Sequence, residues 1–467
     1  MVTATRTAQP IEKVGASVTV LTQPAIEASQ AISVVELLAQ APGVSFTRNG
    51  GPGTSTSLNI RGAEGQHTVV LIDGVKLNDP SSTQGGFNSG NLLVGDISRI
   101  EILRGAQSTL WGSQAIGGVV NIVTADPTVP FTTSVDVEGG ARQTGYLRAG
   151  LGGAGDKITW RVAGGFYSTD GFSAYKTGTE ADGYHNTGLS GRLRYKLSDT
   201  VSAEVRSVWS KGKNDFDAFN GDSSEYGRTE ELVVYTGLNF ALLDGRWNNR
   251  LGYAYTDTDR ENINPLRPAV PQTFDSAGKN KRWEYQGVFA FTETVSATIG
   301  AEERERPHAH TLAVDLRPEP RVQDRQGRRR QRLWPVAGRG GQGPDPDRRR
   351  PLRGPRHLRQ PHPGPGLGRL GAERGDTVVR ASFGQGFRAP GLYELYSEYG
   401  NLDLSPEKFD SWDAGVEQRF FGGKAAPRPL GSTARPTTRS FLLVHRRGRS
   451  ACAPRAASRA SAITTTS

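Results

Sequence analysis

Residues 99–124 read Arg-Ile-Glu-Ile-Leu-Arg-Gly-Ala-Gln-Ser-Thr-Leu-Trp-Gly-Ser-Gln-Ala-Ile-Gly-Gly-Val-Val-Asn-Ile-Val-Thr. The pattern predicts a strand, a tight turn at Gly105, a loop of small residues, and a second strand over 117–124. The two glycines that lead the second strand, Gly117 and Gly118, admit close approach of another backbone. Upstream, residues 33–44 place apolar side chains at helical spacing behind a Ser33 cap, and Pro42-Gly43 ends the helix. Between these elements stand Asn49-Gly50-Gly51-Pro52-Gly53, Ile60-Arg61-Gly62, and the run from Val69 through Asp73-Gly74 to Asn78.

These five elements, in this order, resemble the plug domain of TonB-dependent outer-membrane receptors. Residues 49–78, with His67 among them, are most similar to the cobalamin (vitamin B12) receptor branch. The resemblance covers residues 2–128 and implies one compact α+β plug over 1–128, followed by an antiparallel transmembrane β-barrel. It further implies energy-dependent uptake of a scarce, bulky nutrient across the outer membrane. Cobalamin is the first expectation, and a ferric siderophore or haem the alternative.

The strands after residue 129 are read from their own alternation. Ile158, Trp160, Val162, Gly164 and Phe166 fall on one face, and Lys157, Thr159, Arg161 and Ala163 on the other. Leu189, Leu193, Tyr195 and Leu197 oppose Arg192, Arg194 and Lys196 in the same way. Apolar-out, polar-in segments separated by short turns are the signature of a membrane barrel. A count of roughly eleven strands of about ten residues, a spanning length, makes half of the about 22 strands of plugged transporters. The barrel is therefore expected to be incomplete over 129–305 and 375–423. No run of apolar residues is long enough for a transmembrane helix.

The net charge of +10 suggests a nucleic-acid partner until the charges are located. Residues 306–374 hold 17 Arg, no Lys and 6 acidic residues, and 424–467 hold 9 basic residues and no acidic one, which leaves −10 for the remainder. These tracts lack the interleaved aromatics of a nucleic-acid surface, so no nucleic acid is expected. Arg, Pro and Gly without strand alternation are what a GC-rich gene yields out of frame. A frameshift is expected across 306–374 and again over 424–467, with a genuine disordered basic insert as the rival. A third reading is a decayed receptor without activity. Irregular coil is expected throughout 306–374. Cys452 and five of the seven His lie in these tracts, leaving neither a disulfide framework nor a histidine metal site.

The resemblance assigns site residues one by one. Val2, Thr3 and Ala4 lie at or just after the segment that pairs with a TonB-type energy transducer. No leader precedes them, so the natural start is expected upstream. Arg61 and Arg104 correspond to plug arginines that face acids on the barrel wall, with Glu394, Glu407 and Asp413 as candidate partners. The loops 54–57 and 79–83 correspond to ligand-touching apical loops, which makes Ser55, Thr56, Ser57, Ser81 and Ser82 candidate substrate contacts. Outer-loop calcium sites are implied near Asp182 and Asp217. Ser173 stands where the pattern wants an acid, and a hard cation needs six or more oxygens, so no cofactor is expected. No catalytic constellation is present: the Gly-rich strings lack a phosphate loop's Lys-Ser/Thr, and His67 has no nucleophile beside it.

Overall fold

The computed structural model describes residues 16–77, 85–93, 95–218, 221–269, 271–292, 296–305, 310–312, 368–374, 377–396, 400–418 and 430–438, with Val2, Thr3, Arg6, Ile11, Val14, Asp79 and Ser82. The N-terminal unit contains β1 (Val18–Thr22), α1 (Gln23–Ser29), α2 (Val34–Ala39), β2 (Val44–Arg48), β3 (Thr56–Ile60), β4 (Thr68–Ile72), β5 (Val75–Leu77), β6 (Ile97–Arg104), α3 (Ser108–Trp111) and β7 (Gly118–Thr124). Its five-stranded sheet runs β1-β6-β7-β4-β5, with β4 and β7 parallel and the rest antiparallel. β2 and β3 form a separate hairpin. The Ser33 hydroxyl accepts from the Glu36 N–H and caps α2, whose Val34, Val35, Leu37 and Leu38 are buried. The loop expected between the two strands of 99–124 contains the single helical turn α3, closed by a bond from the Trp111 N–H to the Gln107 carbonyl.

The wall begins with β8 (Thr132–Gly140), β9 (Thr144–Ala154), β10 (Ile158–Thr169), β11 (Tyr184–Lys196), β12 (Val201–Ala218), β13 (Gly221–Leu242), β14 (Trp247–Ile263), β15 (Gln272–Ala290) and β16 (Ser296–Glu305). These pair as one antiparallel meander in chain order, and the short β17 (His310–Leu312) adds to β15. A second sheet holds β18 (Gly368–Arg374), β19 (Thr377–Arg388), β20 (Glu407–Gln418) and β21 (Leu430–Thr438), with α4 (Leu392–Tyr396) between β19 and β20. Among the described residues the two sheets do not close on each other. No helix there is long and apolar enough to cross a membrane.

Register carries the expected alternation. On β10, Ile158, Val162 and Phe166 are exposed while Arg161, Ala163 and Tyr167 are buried. Two expectations need correction. Strands β12 to β15 run 17 to 22 residues, not about ten, so they project beyond what the hydrocarbon requires. The ends of the basic tract 306–374 are also not coil, because β17 and β18 supply ladder bonds to β15 and β19. Most of that tract, 313–367, lies outside the described residues, as do 439–467 of the tail.

The plug core is shared with the wall. One apolar cluster joins Val34, Leu37, Val70, Val75, Leu77 and Ile102 of the plug to Val233, Tyr235 and Ala254 of β13 and β14. The compact unit expected over 1–128 is therefore completed by barrel side chains. Burying those three residues gives the plug one orientation in which its β4–β5 hairpin leaves water.

Candidate functional site

The seam between plug and wall holds most of the sequence-predicted residues. Arg61 (φ 53°) and Gly62 (φ 75°) are both left-handed, and the Arg61 N–H is tied to the Gly43 carbonyl at 2.7 Å. This turn projects the guanidinium out of the plug, where it pairs with the Asp413 carboxylate on β20. Arg104 does not reach a wall acid. Its guanidinium donates to Thr19 Oγ1 at 2.8 Å and to the Pro42 carbonyl at 2.6 Å, both within the plug. Burial, then the neighbouring Arg61, lowers its pKa to about 10, and Asp413 opposes that shift.

Glu394 and Glu407 meet a residue that the sequence reading did not select. Arg388 donates to both Glu394 oxygens at 2.8 and 2.9 Å and to Glu407 at 2.8 Å. The other Glu407 oxygen meets His67 Nε2 at 2.8 Å, and the His67 ring sits edge-on to Phe409. Plug and wall thus share one buried charged cluster, to which Glu394 contributes from α4. The stretch 105–114 docks beside it. Ala106 N–H donates to Ser411 Oγ, Phe387 N–H to Ser108 Oγ, and Ala389 N–H to Ser113 Oγ, all at 3.0–3.1 Å. Close approach here needs Gly384, where an added Cβ would stand 2.8 Å from the Ala106 carbonyl.

Across the plug the charges reverse. There the plug supplies acids and the wall supplies arginines: Asp79 with Arg260 at 2.6 Å, Asp96 with Arg161, and Asp126 with Arg194 at 3.5 Å. The Asp73-Gly74 turn, left-handed at both residues, offers its Asp73 carbonyl to Arg206. The Asp73 carboxylate is held inside the plug by Thr124 N–H and Oγ1 at 2.9 and 2.7 Å. Arg161 had a sequence signal, since it falls on the polar parity of β10. Its partner Asp96 had none.

The predicted ligand contacts do not form one surface. Thr56 is the first residue of β3 and is 1% exposed, with its hydroxyl donating to the Thr54 carbonyl at 2.8 Å. A side chain so enclosed is not offered to a ligand, which corrects its assignment. Ser57 also lies on β3, half-buried, whereas Ser55 is exposed. Ser82 is half-buried, and Ser81 lies outside the described residues. At the N-terminus Val2 is buried in an apolar cluster with Leu71, Leu103 and Val119. Thr3 donates its N–H at 2.8 Å and its hydroxyl at 3.1 Å to the buried Glu101 carboxylate. Ala4 lies outside the described residues.

The loop between β10 and β11 gathers more carboxylates than the two expected. Carboxylate oxygens of Glu180, Asp217 and Asp222 lie within 4.8 Å of one another. Asp182, 1% exposed, keeps Oδ1 buried without a hydrogen bond, as Glu180 does with Oε2. Burial, then Asp182 and its acidic neighbours, pushes the Glu180 carboxyl up to about 7. Burial and Asp217 likewise push Asp182 up to about 6, against a bond from the Ala174 N–H. Ser173, in the place where an acid was wanted, donates to Asp217 at 3.0 Å. Crowded carboxylates with unused buried oxygens fit a hard divalent cation.

Two family models match this chain: a TonB-dependent receptor plug domain over residues 10–119, and a TonB-dependent receptor-like beta-barrel over 129–426. The vitamin B12 transporter BtuB of Photobacterium profundum is 32% identical over 269 residues, covering 56% of this chain and 43% of the relative. The chain thus spans less than half the length of that relative. Among solved structures, the siderophore receptor PirA from Acinetobacter baumannii matches with a TM-score of 0.63 at 16% identity, covering 89% of this chain and 70% of the other. A ferric enterobactin receptor (PfeA) mutant from Pseudomonas aeruginosa matches with a TM-score of 0.61 at the same identity and coverage. At such identities the likeness is one of fold.

Proposed function

Because the chain belongs to the TonB-dependent receptor family, a family of the outer membrane, we propose that it takes up a corrinoid, driven by a TonB-type transducer that would have to draw Val2 and Thr3 out of their buried contacts before it grasps the segment at Val2, Thr3 and Ala4. The observation that carries this reading is the 32% identity over 269 residues to a vitamin B12 transporter. The paired seam supports it physically. Charge-assisted pairs such as Arg61–Asp413 hold a plug yet exchange for water when pulled, so a transducer could shift the plug and the pairs could re-form. Ser55 is the exposed member of the 54–57 loop and the contact there that a ligand could use.

The test is equilibrium binding to the full chain folded in detergent. Cyanocobalamin is expected to bind at least about tenfold more tightly than ferric enterobactin, a difference of about 1.4 kcal/mol. A preference for the siderophore would overturn the corrinoid assignment and leave the family unchanged.

The acidic loop supports a calcium site held by Glu180, Asp182, Asp217 and Asp222, where the cation would supply charge neutralisation and loop order. With an affinity typical of extracellular sites, about 10 mM calcium is expected to stabilise the protein by about 2 kcal/mol. Thermal unfolding with calcium and with chelator would check this. Asp217→Asn and Asp222→Asn are each expected to abolish most of the difference; an equal response to magnesium at the same concentration would argue for general screening.

A further inference from the structure

Between α1 and the inner face of β8 to β12 lies a cavity of about 480 Å³, within the size range of small-molecule sites. Short side chains on the wall make the room: Ala163 and Gly165 on β10 stand opposite Ser190 and Gly188 on β11. A Cβ added at Gly188 would meet nothing closer than the Trp209 carbonyl oxygen at 3.9 Å. The plug side is apolar, formed by Ile26, Val34, Leu93, Ile97 and Ile122. The charges in the lining are mostly of one sign. Carboxylates come from Glu27 on α1, from Asp96, and from Asp136 and Glu138 on β8, whereas Arg148 is the one cation of the lining. Arg148 is taken by Glu138 at 2.5 Å, with Asp136 at 4.0 Å, and Asp96 is paired with Arg161 from outside the lining. Four carboxylates against two guanidiniums leave the cavity negative.

A second observation points the same way. Asn186, 1% exposed, also lines the cavity. Its Nδ2 donates to the Tyr184 hydroxyl at 2.7 Å and to the Asn91 carbonyl at 3.2 Å, while its Oδ1 is buried with no hydrogen-bond partner. The Asn91 carbonyl can only accept, so turning the amide over would not relieve this. Buried acceptors without a donor are few in native proteins and call for a reason. What this cavity lacks is a hydrogen-bond donor that carries positive charge and is joined to an apolar body.

We propose that the cavity between α1 and β8 to β12 is a binding site for an amphipathic organic cation, an amine with an aromatic or alkyl body. Its N–H groups would meet the carboxylates and the Asn186 Oδ1, and its body would lie against Ile26, Val34 and Ile97. An anion of the same size would be repelled by the carboxylates, and an apolar molecule without a donor would leave the Asn186 Oδ1 unsatisfied. A ligand here touches plug and wall at once, so it stabilises the docked plug by mass action. The site does not depend on what the protein takes up.

The experiment is a titration of ethidium, a planar aromatic cation with amino groups, onto the full chain folded in an uncharged detergent, read by fluorescence against protein-free micelles. Wild-type protein is expected to bind it saturably, and the anionic dye anilinonaphthalene sulfonate is expected not to displace it. Gly188→Leu fills the cavity from a position with room for a Cβ and is expected to lose at least about tenfold in affinity. Glu27→Gln/Asp136→Asn removes two exposed carboxylates of the lining and is expected to lose severalfold, less at high salt. Asp199→Asn, at a short turn outside the cavity, is expected to bind as wild type does. The proposal is overturned if wild type does not bind ethidium saturably, if Gly188→Leu folds and binds as wild type does, or if the anionic dye displaces ethidium. Should Gly188→Leu not fold, the carboxylate variant decides: an unchanged affinity there, or an equal loss in Asp199→Asn, overturns it. The readout uses neither corrinoid nor transducer, so its failure and that of the uptake reading are separate results.

Discussion

Replacing Glu407 by alanine is expected to destabilise the folded protein by roughly 3–5 kcal/mol, the cost of removing one partner from a buried charge cluster. Glu407 and Arg388 are 3% and 2% exposed. The substitution removes one of the two carboxylates on Arg388 and the carboxylate bonded to the His67 ring. Water cannot replace either at this depth, so two polar groups lose a partner at once. His67→Ala is expected to cost less, because Glu407 then keeps Arg388. Denaturant unfolding in detergent, followed by tryptophan fluorescence, would measure both. A Glu407→Ala protein within about 1 kcal/mol of wild type, the range of an exposed ion pair, would mean that the cluster is hydrated rather than sealed.

The second large effect is expected at Gly118, the first residue of β7. A Cβ there would stand 2.4 Å from the Leu103 carbonyl oxygen and 2.9 Å from Ile60 Cδ1. The nearer contact is backbone of the adjacent strand, which cannot turn aside as a side chain can. β7 is also bonded on both sides, to β6 and β4, so moving it disturbs two ladders. Gly118→Val is therefore expected at or above the upper end of the usual range of about 1–3 kcal/mol for overpacking. Gly95→Ala makes the matched control, since nothing lies within 4 Å of its added Cβ, and is expected within about 0.5 kcal/mol of wild type. Protease resistance of the plug should fall in the first variant and not in the second. Equal resistance in both would show that the plug sheet can open without cost.

Both expectations trace to residues whose importance was unequally visible. Gly118 stood out because a glycine pair leading an apolar strand has few reasons other than close approach. Glu407 was named as a possible partner for Arg61 or Arg104, but the structure gives it to His67 and Arg388 and gives Asp413 to Arg61. His67 carried no signal that distinguished this role. The same holds for the acidic loop, where Asp182 and Asp217 were picked out and Glu180 and Asp222 were not; the four come together because β11, β12 and β13 lie side by side.

The sequence alone determined what depends on neighbours a few residues away. The Ser33 cap, the Pro42-Gly43 helix end, and the in-out parity of Ile158 to Phe166 are settled by local sterics and a two-residue period. Parity even placed Arg161, Arg192 and Arg206 on the polar face. It could not say that they stand level, because the stagger between strands follows from ladder register and turn geometry. Nor could it say which plug group faces which wall group: Arg61 and Asp413 are 352 residues apart. That choice was made by the tertiary structure, when burial of Val233, Tyr235 and Ala254 against the β4–β5 hairpin gave the plug one orientation, and its acidic and basic flanks met walls of opposite charge.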